Sequence, residues 1–77
     1  MKYTEEQQEL IDSLILGDFN EIVENPYTEI KCELEPLAVA LHDVIKGAEL
    51  IGDTHIMRIA LSIFVEKWPN EYYMLLD

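Results

Sequence analysis

The sequence is poor in the residues that most often carry chemistry or covalent structure. It has one cysteine, Cys32, so no intramolecular disulfide can form, and a lone thiol points to a reducing compartment, the cytoplasm. Its three glycines all fall near expected helix ends, which excludes a glycine-rich loop that could cradle a phosphate. No uninterrupted apolar run approaches the ~18 residues of a membrane span, and the longest candidate contains Arg58. The opening MKYTEEQQEL lacks the apolar core of a signal peptide.

Bases are scarcer still. Five Lys and Arg face sixteen Asp and Glu, a formal net charge of -11. With a screening length of about 8 Å at physiological salt, that density repels DNA, RNA and anionic membranes and attracts basic surfaces. Direct nucleic-acid binding and membrane binding are therefore not expected. The imbalance is uneven: residues 1–35 carry ten acids and two lysines, residues 36–77 six acids and three bases.

Tests for enzymatic and metal constellations fail on spacing. His42 and His55 stand thirteen residues apart, and neither has a glutamate three positions before it, so the paired Glu-x-x-His signature is missing. Asp18, Asn20 and Glu29 match positions 1, 3 and 12 of a calcium-loop frame, but Val23 and Ile22 stand where that frame needs glycine and an oxygen ligand. Cys32 lies between Lys31 and Glu33, and acidic surroundings raise a thiol pKa rather than activate it. The expectation is a non-enzymatic protein with no catalytic residue, no metal and no cofactor.

What the sequence does contain is helical patterning. Thr4 and Gln7 form a capping box, with Glu5 and Glu6 at the positive end of the dipole, and Leu10, Ile11, Leu14 and Ile15 fall on one apolar face. Gly17 reads as a left-handed cap, and Asp18 as the cap of a short second helix through Phe19, Ile22 and Val23. Residues 27–35 are ambiguous. Tyr27, Ile30 and Leu34 suit a helix, whereas Ile30, Cys32 and Leu34 alternate with charged residues as a half-buried strand would. With no second strand-like run in view, helix or irregular turn is preferred.

Pro36 restarts the helical pattern, with Leu37, Leu41, Val44, Ala48 and Ile51 as the buried face and Gly47 as a weak point. Gly52, Asp53 and Thr54 form the next break. The stretch 54–67 is apolar over most of its circumference, which a surface helix cannot be, so it is expected at the centre. Trp68-Pro69 ends it, and Asn70 is placed to cap a last helix whose Tyr72, Leu75 and Leu76 fold back over the core. The predicted architecture is all-α: one domain, 1–77, a compact bundle of four to five short helices around that central helix.

Two surface features point to partners. Glu5, Glu9 and Asp12 recur at i, i+4 and i+7 on one helical face, and Glu21 and Glu24 extend the acidic half. Carboxylates so placed rise about 6 and 4.5 Å apart, comparable with phosphates along a strand, so they can occupy a basic site, including a nucleic-acid-binding one, on another protein. The other feature is apolar surplus, 49% hydrophobic residues for a small interior. Val39 and Leu50 project among polar neighbours, and Tyr73 lies in an aromatic tail; these three are the candidate contacts of a homodimer or small homo-oligomer. A self-associating assembly subunit is the alternative to the acidic interaction module. In length and composition, a short, strongly acidic, single-cysteine chain running from MKYTEEQQELIDSL to EYYMLLD resembles the small accessory proteins encoded by bacteriophages and prophages. The resemblance rests on no motif and implies no site residue.

Overall fold

The computed structural model describes residues 2–76, leaving Met1 and Asp77 of the expected domain outside. The element order is α1 (Glu5–Ser13), β1 (Glu21–Glu24), β2 (Lys31–Leu34), α2 (Pro36–Ile51), α3 (Thr54–Lys67) and α4 (Pro69–Leu75). The class is therefore α+β, which corrects the all-α expectation: an antiparallel two-stranded hairpin stands among the helices.

Helices α1, α2 and α3 begin where the sequence signals place them. In α1 the Gln7 backbone N–H donates to Thr4 Oγ1 at 3.2 Å and the Thr4 N–H donates to Gln7 Oε1 at 2.9 Å. The Gln7 amide also donates to Ser62 Oγ of α3 at 2.9 Å, tying the two helices together. The Ser13 hydroxyl donates back to the Leu10 carbonyl at 2.7 Å, and the helix stops there with Leu14 extended. Gly17 is thus no helix cap, and Ile15, expected in the core, is 96% exposed. Gly52, at φ 76°, does cap α2, and Asp53 Oδ1 accepts the Ile56 N–H at 3.1 Å to open α3. The two residues of this link fold α3 back along α2, the most extensive packing in the molecule. Helix α2 runs through Gly47 without a break. In α4, Pro69 is the first helical residue and Trp68 the cap position, so Asn70 lies inside the helix instead of capping it.

The hairpin replaces both the expected second helix and the ambiguous stretch after it. Its register pairs Glu21 with Leu34, Ile22 with Glu33, Val23 with Cys32 and Glu24 with Lys31. Paired residues share a face, so Val23, Cys32 and Leu34 turn inward while Ile22, Glu24, Lys31 and Glu33 turn to solvent. The alternation around Cys32 was a strand signal after all, and its pairing partner is the EIVE segment of β1. Asn25, 6% exposed, organises the connecting loop: its backbone N–H donates to the Ile30 carbonyl and its carbonyl accepts from the Glu29 N–H, both at 2.8 Å.

The core gathers Cys32 and Leu34 from β2, Ala38, Leu41 and Ile45 from α2, Ala60, Ile63 and Phe64 from α3, and Leu75 from α4. Ala38 and Ala60 are both fully buried, and their small size lets α2 and α3 approach closely. Helix α3 packs against α1, α2 and α4, and its Val65 side stays open to solvent. Among the described residues, no helix is long and apolar enough to cross a membrane.

Candidate interaction surfaces

All ten acids of residues 1–35 are exposed, Glu5, Glu9, Asp12, Glu21 and Glu24 among them. The fold divides these five into two groups. Helix α1, with Glu5, Glu9 and Asp12, packs on α3, whereas β1, with Glu21 and Glu24, packs against β2 and α2. Among the described residues, few of these acids have a basic or imidazole neighbour. Lys31 Nζ lies 3.7 Å from Glu24 Oε1 across the hairpin, and His55 Nε2 lies 3.0 Å from Glu6 Oε2. Glu6, Glu9 and His55 border a cleft of about 270 Å³ between α1 and α3. Hydrogen bonds from Gln8 to Asp12 at 2.8 Å and from Asn20 to Glu33 at 3.0 Å hold two carboxylates in place without cancelling their charge.

The second surface is the outer face of α2. This helix has only four strongly polar side chains, His42, Asp43, Lys46 and Glu49. It buries Ala38, Leu41, Ile45 and Ala48, a face rotated from the expected one, so that Ile51 is 80% exposed instead of buried. On the opposite face, Val39 is half-buried and Leu50 is 87% exposed. The irregular segment after α1 crosses near Val39, where Ile15, Gly17, Phe19, Pro36, Val39 and Asp43 help to line a cleft of about 140 Å³. Phe19, expected inside a short helix, is 82% exposed at that cleft. No local signal marks Ile15 or Phe19 as surface residues, because their exposure follows from α1 ending at Ser13. Tyr73, the third candidate contact, is 67% exposed on α4, with its ring 5.6 Å from that of Tyr72.

The remaining groups are arranged for packing more than for chemistry. Burial, helped by nearby Glu71, raises the pKa of the Cys32 thiol, so it stays protonated; its Sγ touches Met74 Sδ at 3.3 Å. Burial lowers the pKa of His42, outweighing the adjacent Asp43 carboxylate, and leaves a neutral imidazole whose Nδ1 has no hydrogen-bond partner. Among the described residues, no three His, Cys, Asp or Glu side chains converge as a metal site would require. A concavity of about 590 Å³ beside Leu61, Val65 and Tyr72 is an open groove with Arg58 and Glu66 at its edge. Such a groove does not close a small substrate off from water.

Compared with models of protein families, with curated proteins and with solved structures, the chain matches none.

Proposed function

We propose that this chain is a non-enzymatic interaction module whose acidic amino-terminal half binds and modulates a basic surface on a partner protein, such as a nucleic-acid-binding site. One observation carries the reading: all ten acids of residues 1–35 are exposed, and among the described residues only Glu24 and Glu6 have a cationic or titratable partner within 4.0 Å. Like charges held so close repel one another in the free protein, and a basic partner relieves that repulsion on binding. A cytoplasmic setting suits a chain whose single thiol is kept buried and reduced, and an accessory role in a bacteriophage or prophage suits its size and charge.

Charge reversal tests the proposal. Proteins captured on the wild-type chain are titrated against it and against Glu5→Lys/Glu9→Lys/Asp12→Lys over a range of NaCl concentrations. The triple variant is expected to bind at least about tenfold more weakly at low salt, with a shallower salt dependence. Equal affinity for both proteins would reduce the acidic row to a solvated helix face. The Glu21→Lys/Glu24→Lys variant asks the same question of the hairpin group.

A second reading, self-association into an assembly subunit, is favoured by the exposure of Ile15, Phe19, Leu50 and Ile51 around one helix. The two readings use different surfaces and are compatible in one molecule.

A further inference from the structure

We infer that two copies of the chain pair antiparallel through the outer faces of their α2 helices, about a two-fold axis that passes between Val44 and Ile45. The inference rests on the self-association reading and adds to it a surface, a direction and a set of facing residues.

Val39, Asp43, Lys46 and Leu50 follow one another at i, i+4, i+7 and i+11. At about 100° per residue they occupy one stripe within ~60° of arc, opposite the buried Ala38, Leu41, Ile45 and Ala48. The stripe is self-complementary when reversed: apolar, acid, base, apolar. Positions 39 and 50 share one midpoint, and positions 43 and 46 share the same one. An antiparallel two-fold pairing therefore sets Val39 opposite Leu50 of the second copy and Asp43 opposite Lys46 of the second copy, and each match occurs twice, as an isologous interface requires. A parallel pairing would bring Asp43 against Asp43 and Lys46 against Lys46, so charge alone selects the direction.

Within one chain these two charges have little to do. Among the described residues, Asp43 reaches only His42, at 3.7 Å, and Lys46 reaches Glu49 at 4.0 Å, the limit of an ion pair. The shape of the surface agrees. The cleft beside Val39, about 140 Å³, has room for one leucine side chain, and Leu50 of the second copy is the one delivered there, against Ile15 and Phe19. Area also suffices. With Ile15 96%, Phe19 82%, Leu50 87% and Ile51 80% exposed, four side chains offer on the order of 600 Å² per copy, against about 800 Å² per partner in a stable dimer. Gly47 lies beside the stripe with open space around its Cβ position, so nothing within the chain hinders a second helix from approaching there.

The test is sedimentation equilibrium on the full chain, with circular dichroism to confirm that each variant keeps its helices. The wild type is expected at twice its 9.0 kDa monomer mass. Asp43→Lys, Lys46→Asp and Leu50→Glu are each expected to raise the dimer Kd about tenfold or more. Mixing Asp43→Lys with Lys46→Asp is expected to restore a 1:1 dimer, because lysines then face aspartates at every paired position. A wild type that stays monomeric overturns this pairing and self-association together. A wild-type dimer unmoved by Asp43→Lys and Leu50→Glu overturns the α2 pairing alone and leaves self-association standing. Variants that weaken the dimer but show no rescue on mixing overturn the antiparallel match.

Discussion

The side-chain amide of Asn25, in the hairpin loop, donates from Nδ2 to the backbone carbonyl of Met74 in α4 at 2.8 Å. The same side chain accepts the Tyr27 N–H on Oδ1 at 2.9 Å. One buried amide thus shapes the loop and clamps the hairpin to the last helix, two regions separated by 49 positions in the chain. Asn25 is 6% exposed, and both ends of its side-chain amide are satisfied.

Replacing Asn25 with alanine leaves the Met74 carbonyl and the Tyr27 N–H without their partner in a part-buried place. Urea unfolding is expected to show a loss of about 2–3 kcal/mol. Asn25→Asp keeps the acceptor for Tyr27 but aims a carboxylate at the Met74 carbonyl, so it is expected to be destabilising near neutral pH and to recover partly in acid. An Asn25→Ala loss below about 0.5 kcal/mol would mean the hairpin holds to α4 by its apolar face alone.

Backbone strain gives a pair of opposite predictions. Glu29, at φ 63°, and Gly52, at φ 76°, are the two residues in the left-handed region among those described. Glu29→Gly removes the Cβ penalty and is expected to stabilise by up to about 1 kcal/mol, less the entropy that glycine gains in the unfolded chain. Gly52→Ala introduces the penalty at the turn between α2 and α3 and is expected to cost about 1 kcal/mol. Thermal melts of the two variants should therefore shift in opposite directions.

His42 predicts a pH dependence of known sign. Burial holds its folded-state pKa below the ordinary 6.5, with Lys46 acting in the same direction and Asp43 opposing. Above 6.5 the imidazole is neutral in both states and its contribution to stability is complete. As pH falls below 6.5 the unfolded chain takes up a proton that the folded chain refuses, so stability declines until the folded-state pKa is passed. His42→Gln is expected to flatten the stability profile below pH 6.5, as compared with wild type by urea titration at each pH. Parallel profiles would show that His42 is protonated as readily folded as unfolded.

Several features were legible from local chemistry. The Thr4 and Gln7 box, the Gly52 and Asp53 break and the Trp68-Pro69 stop each depend on residues within one turn of one another, and α1, α2, α3 and α4 lie where these signals put them. The apolar circumference of residues 54–67 likewise announces a helix covered by its neighbours. Glu5, Glu9, Asp12, Glu21 and Glu24, the acids proposed to meet a partner, are exposed. The hairpin was not legible, because each strand spans only four residues. In β1 the adjacent Ile22 and Val23 fit a helical turn as readily as a strand, and a strand is defined by what it pairs with.

The sequence by itself determined where α1, α2 and α3 begin, the acidic character of the first half and the apolar surplus, since caps, charge and composition are local or additive properties, whereas the end of α1 at Ser13 and the start of α4 at Pro69 were set by packing. Only the tertiary structure decided that residues 21–24 pair with 31–34, that Ile15, Phe19 and Ile51 face outward, and that Val39 lies beside a cleft while Leu50 stands free. These outcomes turn on which face of each element meets another. That choice is made by packing Leu34, Leu41, Ile63 and Phe64 together from three separate elements, a cooperative result that no single stretch of chain contains.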